Sequence, residues 1–336
     1  DTASNAVEFG AMPDGTICQY EVKDDRAVWS LAVPEIQNFY VYLSDSGNNG
    51  NDGLSPLAPV ATISRAISIL NEHMKSYHRA VIVICGEYTA TTHFNAKGAS
   101  GGAAPNFAIV FTSEANGVDY SQSGAKMVIT GGSIYLYSPT TFENITLYNK
   151  DIAVRYIAAR GNALTMGDGV VCQPNSNGVG VNLLGGIITT SKSSKTTNIT
   201  INSGNYGTVY GGNSGGGATT HTSLVLNGGT VDALYGGSSS GEEKGDIRIS
   251  INGGTVKGYV VGSVAPAGAY KGSVSIDITS GRVLHSVVPG MFDTQLTSSI
   301  CIDLSEKNEF YLGGTASVDQ FKGGGILSLG KNALLT

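Results

Sequence analysis

Four short segments recur along one stretch of the chain, and no other feature restricts the fold as much. Ile201-Asn202-Ser203-Gly204, Leu226-Asn227-Gly228-Gly229 and Ile251-Asn252-Gly253-Gly254 superpose without gaps at intervals of 25 residues, and Ile278-Thr279-Ser280-Gly281 follows after 27. Each is preceded by alternation, as in Asn198-Ile199-Thr200-Ile201, Ser223-Leu224-Val225-Leu226, Arg248-Ile249-Ser250-Ile251 and Ser275-Ile276-Asp277-Ile278. That period of two belongs to a strand with one apolar face. After each glycine pair comes a second apolar stretch, such as Thr230 to Tyr235 or Thr255 to Val261, and then a loop rich in Gly and Ser at 211–222, 236–246, 262–272 or 289–298. A unit this small cannot bury its own apolar face, so successive units must stack. A coil of about 25 residues with two or three short strands has the size of one turn of a parallel β-helix. Helical repeats are excluded by the alternation and by 47 glycines in 336 residues, since each glycine inside a helix costs about 1 kcal/mol. Glycine pairs suit corners that need positive φ.

With 41% apolar and 14% charged residues the chain is neither collagenous nor disordered, despite its glycine. A formal net charge of -6 with no dense Lys/Arg cluster argues against a nucleic-acid partner. No apolar run approaches the roughly 20 residues that span a bilayer, so membrane insertion is not expected. Cys18, Cys85, Cys172 and Cys301 lie far apart with no CxxC spacing, which removes zinc-knuckle and redox motifs. Buried thiols are expected at the last three, with a disulfide left open. One segment is helical: over 61–77, Ile63, Ala66, Ile67, Leu70 and Met74 mark a single face. It suits a cap, because the first coil of a solenoid otherwise exposes apolar interior and an unpaired edge that invite end-to-end association. Residues 1–38 read as an N-terminal extension and 39–336 as one domain, with its most regular coils at about 198–304.

Tyr40-Val41-Tyr42-Leu43-Ser44-Asp45, then Gly50-Asn51-Asp52-Gly53-Leu54-Ser55-Pro56, Ala58-Pro59, Thr62-Ile63 and Ala66-Ile67 resemble the opening of right-handed parallel β-helix proteins of the pectin-lyase-like superfamily. Val81-Ile82-Val83-Ile84-Cys85-Gly86-Glu87-Tyr88 resembles their first full coil, and Phe142-Glu143-Asn144-Ile145-Thr146-Leu147 a later one. The Gly-Gly and Tyr-Gly-Gly coils resemble repeats of large secreted or surface-attached bacterial proteins. The resemblance covers about 39–330. It implies an all-β single right-handed parallel β-helix in an extracellular or cell-surface setting, and polysaccharide or another glycan as the partner. The superfamily includes lyases, glycosidases, esterases, tailspikes and adhesins, so the fold carries no activity with it.

In such a fold, outward residues on successive coils lie about 4.8 Å apart. One outward row reads Thr200, Val225, Ser250, Asp277, and aligning Ile276-Asp277-Ile278 with Ile302-Asp303-Leu304 adds Asp303. Two carboxylates about 5 Å apart approach the roughly 5–5.5 Å of a retaining glycosidase, and their repulsion raises one pKa as a general acid requires. An offset of 24 instead of 26 would stack Asp303 over Thr279. Arg248 is a candidate partner for Asp277, and His285, at a repeat position held elsewhere by Thr208, Ala233 and Gly258, is a candidate base. A second candidate is the loop rim, where His221, Glu242, Glu243, Asp246, Tyr270, Lys271 and Asp293 fall. Sugar sites combine such groups with aromatic platforms; Tyr259, Tyr270, Lys271 and Asp246 form the candidate substrate-binding set. Tyr210 and Tyr235 share a repeat position followed by Val260 and Val287, as in a partly buried stack.

Asp45 to Asp52 resembles a calcium loop but fails the EF-hand pattern at Gly47 and Pro56, so it reads as a turn. No cofactor is expected, although a Ca²⁺ site is equally consistent with the carboxylate row, since hard cations take oxygen ligands. Asp151, Arg155, Tyr156 and Asp168 occupy less regular coils, without the acidic cluster plus Lys/Arg in one ladder that a uronate lyase would use. GxSxG, HExxH and GxxxxGK[ST] are missing. Two classes therefore stand: a glycosidase using the aspartate pair, with polysaccharide lyase as its variant, and a non-catalytic adhesin, fibre or scaffold. Self-association remains open in either.

Overall fold

In a computed structural model, which describes residues 16–32, 35–90, 94, 105–188, 195–215, 220–239, 243–266, 268–292 and 296–336, the protein is all-β and mainly parallel. The repeat seen in the sequence is the hydrogen-bonding register. Ile199 and Ile201 pair with Leu224 and Leu226, these with Ile249 and Ile251, then Ile276 and Ile278, then Ile300 and Ile302. All ten are buried, each covering the one before. The row extends back through strands Ala163–Met166, Thr140–Phe142 and Ile109–Thr112 to β4 (His78–Ile84) and β3 (Gln37–Leu43), and forward to Gln320–Lys322. A second apolar row joins Tyr206, Val231, Val256, Val283, Leu312 and Leu329. A third joins Val209, Leu234, Val260 and Val287. One 20-stranded sheet results, an arrangement compatible with a β-helix.

The corners explain the glycines. Gly229, Gly254 and Gly281 hold φ of 76°, 74° and 110°, a region that costs side-chain-bearing residues 1–3 kcal/mol by typical estimates, about the scale of a strained turn. A Cβ on Gly254 would also lie 2.8 Å from the Gly229 carbonyl oxygen of the previous coil. Beside these corners Asn227 donates to Asn202 and Asn252 to Asn227, both at 2.9 Å, and Thr279 donates to Asn252 at 3.1 Å. Residues two dozen places apart thus touch.

Helix α1 spans Ile63–His73, shorter than the 61–77 read from the sequence. Thr62 caps it by accepting the Arg65 N–H at 3.3 Å. Met74 leaves the helix at φ -72°, ψ 140°, because the chain must turn there to enter β4 at His78. The buried side of α1 (Ile63, Ala66, Ile67, Ile69, Leu70) joins the same core as Val41 and Leu43 of β3, so it covers the first coil. Ahead of β3, strands β1 (Ile17–Lys23) and β2 (Arg26–Ala32) form an antiparallel hairpin. Its two-residue turn puts Asp24 and Asp25 at φ 51° and 58°, the signature of a type I′ turn.

Among the described side chains Cys85, Cys172 and Cys301 are free thiols. Only Cys172 is buried, and burial pushes its thiol up to about 12. Cys85 and Cys301 are half-buried because they alternate onto the outward side, a correction to the expectation for all three. Cys18 lies in β1, and its side chain is outside those described. No helix among the described residues is long and apolar enough to cross a membrane.

Candidate functional site

Thr200, Val225, Ser250 and Asp277 do form one outward row, but the next residue in it is Cys301 rather than Asp303. The proposed alignment of the two aspartates is thereby corrected: the offset is 24. Six consecutive pairs, Ser273 with Thr297 through Ile278 with Ile302, keep that register, and Leu304 falls beyond the strand, donating its N–H to the Lys322 carbonyl. Asp303 sits diagonally from Asp277, roughly 8 Å away between Cα atoms by strand geometry. Its carboxylate accepts from Ser305 Oγ and the Ser305 N–H and is 3.0 Å from Lys322 Nζ. Those bonds, Ser305 foremost, hold its pKa down to about 2. Asp277 is half-buried and accepts from Ser275 Oγ at 3.1 Å.

Arg248 is exposed and in register with Ser275, one row away from Asp277. His285 stacks on the Tyr259 ring at 4.9 Å. One row assignment shifts by one residue: Tyr210 and Tyr235 continue into Val261 and Val288 rather than Val260 and Val287. The cause is one extra residue between Val256 and Val260 relative to the coil before it. Tyr210 and Tyr235 do stack, with centroids 5.1 Å apart and planes at 15°.

On the loop rim, Asp246 links three coils. It accepts the Ser273 N–H and Oγ at 2.9 and 2.8 Å, and lies 3.3 Å from His221 Nδ1. The bonds from Ser273 lower its pKa. Tyr270 is buried, its hydroxyl donating to the Ser273 and Gly245 carbonyls at 2.6 and 3.1 Å, so it is a clasp between coils and no open platform. Lys271 and Tyr259 are exposed. Glu243 is buried against Ser238, whose N–H it accepts, and against Ser263 Oγ at 2.9 Å. Burial raises its pKa above the usual carboxylate range. Glu242 and Asp293 lie outside the described residues.

The region around Asp45 to Asp52 is occupied by its own chain. Asp45 accepts the Thr89 N–H and hydroxyl, Asn49 accepts the Ala61 and Thr62 N–H groups, and Asp52 accepts the Leu54 N–H. Asp151 is likewise held, by Arg155 Nε, Thr130 Oγ1 and the Gly131 N–H. No group of three or more metal-ligating side chains occurs among the described residues.

A further constellation was not singled out by the sequence. Asn205, Thr230, Thr255, Arg282, Tyr311 and Ser328 form one outward row of the second strand bundle. The Arg282 guanidinium carbon lies 4.6 Å over the Tyr311 ring, a cation–π pair. Around it Gly253, Gly254, Ser280 and Glu309 complete a groove of about 450 Å³. The glycines keep its floor low, and the exposed Glu309 side chain sets an acceptor at one edge, while its carbonyl takes the Ser280 hydroxyl at 3.0 Å. Such a groove offers a planar fork for carboxylate or sulfate, an aromatic face, and hydroxyl-bonding groups. Arg282 and Tyr311 are 29 residues apart, outside the regular repeat, which is why comparing coils at a spacing of 25 does not align them. Compared with known protein families, with curated proteins and with solved structures, the chain matches none of them.

Proposed function

We propose that the chain is a right-handed parallel β-helix of the pectin-lyase-like kind, secreted or held at a cell surface, and that it binds polysaccharide along the Arg282–Tyr311 groove. The observation that carries this is the guanidinium seated over an aromatic ring inside a groove of about 450 Å³ beside Glu309. A guanidinium fork favours an acidic sugar, so a uronate-containing polymer is the preferred ligand. Binding is favoured over hydrolysis because Asp303 falls outside the row of Asp277, which continues into Cys301, and its carboxylate is already engaged by Ser305 and Lys322.

Affinity electrophoresis through gels containing neutral or uronate-rich polysaccharide tests this reading. The uronate gel retards the protein, and Arg282→Ala and Tyr311→Ala each weaken retardation about tenfold, the equivalent of about 1.4 kcal/mol. Equal retardation of the parent and both variants, or none in any gel, would remove the groove as the site. Reducing ends appearing with the parent and vanishing in Asp277→Asn would restore the hydrolase reading instead.

A further inference from the structure

The corner that carries the Arg282–Tyr311 groove recurs on successive coils. Phe142, Met166, Ile201, Leu226, Ile251 and Ile278 share one buried row, and the residues after each of them turn into the next strand of the coil. Gly253, Gly254 and Thr255 from one such corner and Ser280, Gly281 and Arg282 from the next line the groove. A second cavity, of about 290 Å³, lies at two earlier corners: it takes Asn144, Ile145 and Thr146 from one coil, Gly169 and Val171 from the next, and is completed by Glu114, Asp119 and Ser121. Five strand-to-strand steps separate Phe142 from Ile278, about 24 Å along the stacking axis. Between the two cavities the corners carry Asn202, Asn227 and Asn252, whose amides bond in series and end on Thr279. Asn227 and Asn252 are exposed. Each link uses one Nδ2 hydrogen and one Oδ1 lone pair, so the amides keep a second donor and a second acceptor for a ligand.

The two ends of this line differ in charge. Arg282 stands at one. At the other, Glu114 is directly opposite Asp119 in the hairpin of Glu114–Ala115 and Val118–Asp119, and both are exposed, as is Asp168 just before Gly169. Like charges placed opposite each other repel. Asp119 accepts the Ser121 N–H at 2.9 Å and Gln122 Nε2 at 3.0 Å, and each of its oxygens has a further lone pair. We propose that one linear polysaccharide lies along this corner, parallel to the stacking axis, with a uronate on Arg282, sugar hydroxyls on the Asn202–Asn227–Asn252 amides and an uncharged sugar in the Glu114–Asp119 cavity. This rests on uronate binding in the Arg282–Tyr311 groove. A second uronate in the far cavity would meet carboxylates instead of a guanidinium, whereas an uncharged sugar brings hydroxyl donors to them. The ligand class is therefore a copolymer of uronate and uncharged sugars, and a polyuronate is disfavoured at one end.

Isothermal titration of the full chain with two oligosaccharide series, alternating glucuronate and N-acetylglucosamine in one and galacturonate alone in the other, each from the disaccharide upward, tests this. Affinity for the alternating series climbs about tenfold or more and levels once the oligomer spans about 24 Å; the galacturonate series levels at a shorter length. Glu114→Gln/Asp119→Asn, which keeps an acceptor for Ser121, binds long galacturonate oligomers about tenfold more tightly than the parent does, with the disaccharide unchanged. Asn227→Ala/Asn252→Ala, at exposed positions, weakens long oligomers of both series about tenfold, with the disaccharide and the circular dichroism spectrum unchanged. Affinity in the parent that does not rise with length, or parental affinity for long oligomers in both double variants, would overturn the extended track while leaving uronate binding in the groove standing, since Arg282→Ala then still loses the disaccharide. Oligomers that bind Arg282→Ala as well as the parent, or that do not bind the parent, would overturn both.

Discussion

At the residue scale, Glu243 and Asp303 show how the same chemical group takes opposite roles. Glu243 is buried with serine donors, and its proton is held more tightly in the folded chain than in the unfolded one. Its contribution to stability is therefore greatest below the unfolded carboxyl pKa and declines as pH rises through the raised folded value. Glu243→Gln keeps the acceptor for Ser238 and Ser263 and removes the ionisation. Thermal melts are expected to show the variant at or above the parent at about pH 8, with a flatter pH dependence. A variant melting well below the parent at that pH would mean that the charged form is stabilising. Asp303 has the opposite sign: its depressed pKa favours the folded state above the unfolded value, and that benefit is lost as pH falls through about 2. A carboxyl-carbon NMR titration should place its midpoint near 2 and Ser305→Ala should raise it; a parent midpoint at the ordinary value of about 3.9 would contradict the hydrogen-bonded geometry.

At the scale of single coils, corners and strands depend on different residues. Gly254 has positive φ and a Cβ position close to the Gly229 carbonyl, so Gly254→Ala is expected to cost about 1–3 kcal/mol in denaturant unfolding. Ile251→Ala, which empties an interior position between Leu226 and Ile278, should cost about 2–5 kcal/mol. An alanine at either site with parental stability would mean that the coils do not pack there. This scale is where the sequence is most and least legible. The rows through Ile201, Leu226 and Ile251 are readable because coil length is constant and each strand alternates. The row through Asp277 is ambiguous because Ile300, Ile302 and Leu304 repeat every second residue, so shifts of two keep every apolar side chain inward. Only pairing along the whole strand decides between them. Glu243 was legible as a loop residue but not as a buried one, since glycine-rich loops have no period that marks their inner side. Arg282 and Tyr311 become neighbours through a longer coil between them, a length that no repeat announces.

For the molecule as a whole, the parallel all-β architecture and the N-terminal capping helix follow from pattern alone: period two, glycine corners, and one amphipathic stretch. The Arg282–Tyr311 groove does not, because it arises where regular coils give way to unequal ones. The claim beneath every part of this description is that coils stack in register, with Asn202, Asn227 and Asn252 on three successive turns. Neighbouring coils bring Cα atoms to about 4.8 Å, within the usual disulfide range, while the next coil but one lies about 9.6 Å away, outside it. The most direct test is to oxidise two double variants, Asn202→Cys/Asn227→Cys and Asn202→Cys/Asn252→Cys, and map the linked peptides by mass spectrometry. Stacked coils give a 202–227 crosslink in the first and no 202–252 crosslink in the second; equal crosslinking in both, or a 202–252 bond alone, would contradict the stacking.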